Sequence, residues 1–142
     1  MPPRARRAAP EEDRPVDITP MVPTGRQIIE SYGAGRFRVS GAVFEGSILV
    51  FPDRSVPWSA GTPDEITIDS LEEVARAGAE GQIEVLLLGC GLRMAVVRGE
   101  LRRSLRDAGV VIEPMDTGAA CRTYNVLAAE GRKVAAALIA VQ

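Results

Sequence analysis

Chemistry-bearing side chains gather in one stretch of this chain, Asp116 to Arg132. Glu113-Pro114-Met115-Asp116-Thr117 leads into Gly118-Ala119-Ala120-Cys121-Arg122-Thr123-Tyr124-Asn125, an order that predicts a strand end, a cap and a helix. Asp116 or Thr117 suits the cap, because a short side-chain oxygen there accepts from the helix's free N–H groups. A helix start also collects partial positive charge and unpaired donors, which suits an anion. Cys121 stands one turn in, where the dipole lowers the pKa of an exposed thiol. The alternative is a small buried core residue. Asn125 follows Cys121 by four residues and shares its face, while Arg122, Tyr124, Glu130 and Arg132 make the helix and its exit unusually polar. Two readings stand side by side. One is a solvated face with an arginine–carboxylate bridge of small energetic weight. The other is a pocket in which Arg122 or Arg132 holds an anion, Asp116 or Glu130 handles protons, and Cys121 acts as nucleophile.

A second place for chemistry is Gly89-Cys90-Gly91, directly after the apolar run Ile83–Leu88. Open α/β sheets bind ligands beyond the carboxyl ends of their strands, and two glycines let backbone come close. This is not a dinucleotide fingerprint: Met94 stands where the third glycine belongs, and Leu92–Val97 does not open a helix cleanly. The Gly-Lys-Ser/Thr of a phosphate loop is also missing. A tight structural turn and a backbone ligand cradle at Gly89 and Gly91 remain the two readings.

The elements that must position these residues follow from apolar patterning. Ile28–Tyr32 reads as a strand, Gly33-Ala34-Gly35 as a turn, and Phe37 to Phe51 as a β meander punctuated by Gly41 and Gly46. Phe37, Phe44, Phe51 and Trp58 fall seven apart, but glycines and Pro52 break any helix there. Glu65–Ile68 reads as a brief strand. Ser70-Leu71-Glu72-Glu73 fits a capping box for a helix ending at Gly78. Ile83–Leu88 has strand length and no polar face, as a strand buried on both sides requires. Arg98–Ala108 is an amphipathic helix with Leu101, Leu105 and Ala108 on one face and Arg102, Arg103 and Arg106 on a solvated one. Val110–Glu113 is a strand stopped by Pro114, Thr117–Ala129 a third helix, and Val134–Val141 a last strand. The alternation predicts an α/β fold preceded by a small β meander.

Composition narrows the chemistry. The 142 residues contain no histidine and two cysteines. That removes Ser-His-Asp and Cys-His catalysis, a histidine general base and a histidine-based zinc site. No cofactor is implied. A net charge of −2 and six aromatics argue against nucleic acid as a partner. No apolar run is long enough to span a membrane, and no secretory signal opens the chain, so a reduced, cytoplasmic setting is expected. Six of the ten prolines lie in residues 1–25, with four arginines and four acids. Such a segment buries too little to offset its ordering entropy. The expectation is a disordered tail over 1–25 and one domain over 26–142.

The run Glu113-Pro-Met-Asp-Thr-Gly-Ala-Ala-Cys-Arg-Thr-Tyr-Asn-Val-Leu-Ala-Ala-Glu-Gly-Arg132 resembles the signature of the Mth-like domain family of unknown function. Ile48-Leu49-Val50 after Gly46-Ser47, Trp58, and Leu86-Leu87-Leu88-Gly89-Cys90-Gly91 extend the likeness across Ile28 to Ile139. The resemblance implies an α/β fold of three layers, with a mixed central sheet, helices and an additional small β meander layer. It implies no catalytic residue. It directs attention to Asp116, Thr117, Cys121, Arg122, Tyr124, Asn125 and Arg132 as motif positions. The family often carries Gly-Thr-Gly where this chain has Gly89-Cys90-Gly91, which weakens any mechanism that needs Cys90. Its members include a mitochondrial assembly factor for respiratory complex I and a vertebrate adipogenesis-associated protein. A non-enzymatic interaction or assembly factor is therefore the first expectation, with respiratory-complex subunits or assembly factors as protein partners. A protein that binds a small anionic ligand, or an enzyme, using a pocket at the start of the 117–129 helix is the alternative.

Overall fold

Apolar patterning dictates the layering seen in the computed structural model, which describes residues 15–18 and 25–142. Nine strands and three α-helices appear among them: β1 (Val16–Asp17), β2 (Ile29–Gly33), β3 (Arg36–Val39), β4 (Ala42–Glu45), β5 (Ile48–Val50), β6 (Ser55–Pro57), α1 (Glu72–Ala79), β7 (Val85–Gly89), α2 (Gly99–Asp107), β8 (Val111–Met115), α3 (Thr117–Ala129) and β9 (Val134–Leu138). The two most apolar strands, β7 and β9, lie side by side in the centre of a five-stranded sheet of order β6-β5-β9-β7-β8. β7 runs parallel to β8 and β9, while β5 is antiparallel to β9 and β6, so the sheet is mixed.

Alternation along the central strands sends side chains to two separate cores. Leu86, Leu88, Ala135 and Ala137 face α1 and α2, whose Val74, Ala77, Leu101 and Leu105 close that side. Leu87, Val134, Ala136 and Leu138 face the other way, against Ala120, Cys121, Tyr124 and Ala128 of α3. The four-stranded sheet β1-β2-β3-β4 completes this second face through Ile29, Phe37 and Val39. Burial on both faces explains why β7 and β9 read as unbroken apolar runs. The result is the expected α/β architecture of three layers: two helices, the mixed sheet, then α3 with the β meander. Phe37 belongs to one core and Phe51 and Trp58 to the other, so their even spacing marks no stripe. Trp58 closes its core and donates its indole N–H to the carbonyl of Ser70 at 2.9 Å.

Four local expectations need correction. Glu65–Ile68 is not a strand; Glu65 ends one 3-10 turn, Pro63–Glu65, and a second, Asp69–Leu71, follows Ile68. The Thr67 N–H donates to Ser70 Oγ at 2.9 Å, and the Ser70 N–H donates to Thr67 Oγ1 at 3.0 Å. Short hydroxyl side chains thereby satisfy backbone that a ladder would otherwise need. The same bonds remove Ser70 from the capping box: α1 follows Leu71 without a side-chain cap, and Glu73 instead pairs with Arg54 at 3.1 Å. Gly78 does not stop α1 but sits inside it, where an added Cβ would stand 2.7 Å from the Ala108 carbonyl. Pro114 does not stop β8, which runs on to Met115. β8 is the sheet's outer strand, the place where a proline's missing N–H is tolerated. Within the expected tail, Val16 and Asp17 pair antiparallel with Tyr32 and Ser31 as an edge strand. Residues 1–14 and 19–24, which make up most of that tail, lie outside the described residues.

Candidate functional site

The ten residues singled out by sequence fall into three groups. The first clips together the carboxyl ends of the central strands. Asp116 caps α3, its Oδ1 accepting from the Ala119 N–H at 2.8 Å. Thr117 is fully buried. Its hydroxyl donates to the Ile139 carbonyl at 2.7 Å and accepts from the Gly91 N–H at 2.9 Å, while its own N–H donates to the Gly91 carbonyl at 2.8 Å. Gly89 is needed for this closeness, since an added Cβ would stand 3.0 Å from the Thr117 Cα. Gly91 adopts φ +98°, a left-handed conformation that favours glycine. What the two glycines admit is therefore the chain's own Thr117, and the Gly91 donor that a ligand cradle would offer is already given away.

The second group is the inner face of α3. Cys121 is fully buried, and burial pushes its thiol up to about 12, against the opposing pull of the Arg122 charge. The thiol is held protonated, the reverse of the activation that an exposed position one turn into a helix gives. Tyr124 is also fully buried, and its hydroxyl donates to the Gln27 carbonyl at 3.1 Å. Burial raises its pKa as well. Asn125 makes two bonds to one residue: Oδ1 accepts from the Ile29 N–H at 3.0 Å, and Nδ2 donates to the Ile29 carbonyl at 2.8 Å. Its amide stands in for a neighbouring strand and sews α3 to β2.

The third group lies at the surface. Arg122 donates to the Tyr32 hydroxyl at 3.3 Å, across Gly118, where an added Cβ would come within 2.6 Å of that oxygen. Glu130 and Arg132 approach at 3.6 Å with more than half of each side chain in solvent, a pairing of little energetic weight. Arg122 and Glu130 border an open groove of about 500 Å³ whose floor includes Ile18, Val126 and Ala129. Asp116 and Glu130 stand at opposite ends of a 13-residue helix, so the ten do not converge on one cavity. Among the described residues, every buried side-chain nitrogen and oxygen has a hydrogen-bond partner. The same residues hold no cluster of three or more cysteines and carboxylates suited to a metal.

Sequence reasoning missed a different region. Residues 91–98 follow β7 without forming helix or strand, and Leu92, Met94 and Val96 are 83%, 63% and 91% exposed. Their neighbours Ala95 and Val97 turn inward against the first core. Behind them lies a cavity of about 260 Å³ bordered by Pro63, Ile66, Leu88, Cys90 and Leu101. The available signal was Leu92-Arg93-Met94-Ala95-Val96-Val97, apolar at alternate positions on both sides.

The chain belongs to the family described as a protein of unknown function (DUF498/DUF598), whose model matches residues 29–139. It is 40% identical over 111 residues to an uncharacterized protein of Rhodobacter capsulatus, covering 78% of this chain and 82% of that one. It is 37% identical over 112 residues to the NADH dehydrogenase (ubiquinone) 1 alpha subcomplex assembly factor 3 of Danio rerio, covering 79% of this chain and 63% of that protein. The chain thus spans less than two thirds of this vertebrate relative. Among solved structures, an outer membrane protein from Bartonella henselae matches with a TM-score of 0.77 at 39% identity, over 83% of this chain and 98% of the other. A Mth938-like domain from Bordetella pertussis matches with a TM-score of 0.73 at 32% identity, over 87% and 92%. The Mth-like fold expected from the motif is the fold of this chain.

Proposed function

We propose that the protein is a non-enzymatic interaction and assembly factor acting in the construction of respiratory complex I, on the cytoplasmic side of the membrane. The observation that carries this reading is the internal use of the motif's polar groups. Thr117, Tyr124 and Asn125 each spend their side chains on backbone of the same chain, and the one thiol of the motif is buried and protonated. A motif whose chemistry-capable groups hold the fold together favours a scaffold over a catalyst. The Danio rerio relative, named as an assembly factor of NADH dehydrogenase, supplies the process. No described helix is long and apolar enough to cross a membrane. The test is affinity purification of the tagged protein from its respiring host, followed by protein identification. Enrichment of complex I subunits or of other assembly factors is expected, and deletion should lower the amount of assembled complex. Normal complex I levels in the deletion strain together with no such enrichment would sink the reading.

The anionic-ligand alternative narrows to one place, the groove bordered by Arg122 and Glu130, because Arg122 is the motif's exposed cation there. A thermal-shift screen of small anions against the wild type and Arg122→Ala tests it. A ligand that stabilises only the wild type would favour this reading.

A further inference from the structure

Three exposed apolar side chains at alternate positions of one segment are unusual on a protein surface. Single exposed valines and leucines are ordinary, but contiguous apolar patches mark contacts. Leu92, Met94 and Val96 form such a row, and its last member, Val96, borders the 260 Å³ cavity together with Ala95, Val97 and Arg98. Beside it stands a second uncompensated feature. Residues 91–110 hold five arginines (Arg93, Arg98, Arg102, Arg103, Arg106) against two acids, in a chain whose net charge is −2. Among the described residues none of these five is in an ion pair, whereas five of the seven other arginines, Arg36, Arg38, Arg54, Arg76 and Arg132, are, Arg26 and Arg122 being the exceptions. Arg98 and Arg102 reach only carbonyls, those of Ile66 at 2.6 Å and Ile112 at 3.1 Å.

We infer that residues 91–98 and the adjoining α2 arginines form the docking surface for a partner protein, through a segment of that partner carrying apolar side chains flanked by carboxylates. Apolar anchors cover Leu92, Met94 and Val96 and enter the cavity behind them. Carboxylates meet Arg93, Arg103 and Arg106, whose planar guanidinium groups suit bidentate pairing. The partner meets side chains and does not extend the sheet. β8, the nearby edge, has Pro114 without an N–H, and Arg102 already occupies the Ile112 carbonyl. A second copy fits poorly, because a two-fold contact would set one arginine band against the other. This surface names the contact region of the assembly-factor reading and rests on it for the partner's identity.

The test places the photo-crosslinking residue p-benzoylphenylalanine at position 94, and as control at position 126, in the full chain expressed in its respiring host. Val126 is 57% exposed on α3, away from the arginine band. Crosslinking from position 94 to a segment bearing apolar residues and carboxylates is expected, with none from position 126. The Leu92→Ser/Met94→Ser/Val96→Ser variant should recover about tenfold less of that protein or lower still, as loss of central anchors does, at unchanged melting temperature. Arg93→Glu/Arg103→Glu should also weaken recovery. A crosslink from position 94 to an acidic segment outside complex I assembly would keep the surface and remove the assembly reading. No crosslink from position 94, a crosslink to a second copy, or recovery unchanged in the triple serine variant would overturn the surface. Flotation of the wild type, but not the variant, with phosphatidylethanolamine–phosphatidylglycerol vesicles in place of a protein crosslink would also overturn it.

Discussion

Helix α3 and the 91–98 segment invert the usual arrangement of polar and apolar groups. α3 carries hydroxyls, an amide and a thiol into the interior, and each finds a partner or a tight apolar berth there. The 91–98 segment holds leucine, methionine and valine in water, beside arginines that lack carboxylates. A buried polar group that is fully bonded specifies how layers dock. An apolar group left in water, with space behind it, has no folding purpose that the described residues reveal. The contrast separates the residues that make the fold from those left for a partner. Substitutions in the two regions should therefore affect different measurements.

At neutral pH the largest stability effect should come from Asn125. Asn125→Leu leaves the Ile29 N–H and carbonyl unpaired in the interior, at 1–3 kcal/mol for each group, so a loss of about 3 kcal/mol in chemical denaturation is expected. A loss under about 1 kcal/mol would show that Ile29 finds other partners and that α3 is not sewn to β2 in solution. Next comes Thr117→Val, which keeps the shape but strands the Gly91 N–H and the Ile139 carbonyl. It should cost about 2 kcal/mol, with Thr117→Ser recovering most of it.

Much of this fold is legible in the sequence, for identifiable reasons. The Thr117–Ala129 helix is read with its bounds correct, because Asp116 is a true cap and Gly131 follows the exit. β7 and β9 are legible because burial on both faces leaves an unbroken apolar run. Glu65–Ile68 fails because Thr67 and Ser70 satisfy each other's backbone across a distance pattern cannot sense. Pro114 and Gly78 mislead for a shared reason: each is placed by its tertiary neighbours, a sheet edge for one and the Ala108 carbonyl for the other. The candidate site is legible as a list of residues and not as a use. Residue type told that Asn125 and Thr117 matter; only geometry told that their partners are Ile29, Gly91 and Ile139.

The buried thiol gives a pH-dependent effect that is absent at neutral pH and appears only in alkali. Cys121 has an ordinary value near 9 when unfolded and about 12 in the folded chain. The unfolded chain therefore loses this proton first. Its contribution is fully present below pH 9, falls as pH rises, and is gone above 12, with a slope of at most about 1.4 kcal/mol per pH unit. Tyr124 acts in the same direction from about its ordinary value of 10 upward. Denaturation series at increasing alkaline pH should show the decline, and Cys121→Ala should make it shallower. At neutral pH the folded protein should not react with a thiol reagent at Cys121, whereas the denatured protein should. Rapid labelling of native Cys121 would reopen the nucleophile reading and erase the difference between the two regions.

The smallest stability effects belong to exposed positions, and they test the comparison most directly. Arg122→Ala removes one 3.3 Å bond to Tyr32 at the surface and should change stability by less than about 1 kcal/mol. The Leu92→Ser/Met94→Ser/Val96→Ser variant removes side chains that are 63% exposed or more, so its unfolding free energy should stay within about 0.5 kcal/mol per site. If it unfolds much more easily, the row packs against something within this chain, and its exposure is not a vacancy for a partner. If stability holds while partner recovery falls, the two regions have separate tasks. Asn125 would then be costly to the fold and silent in binding at permissive temperature, and Met94 the reverse.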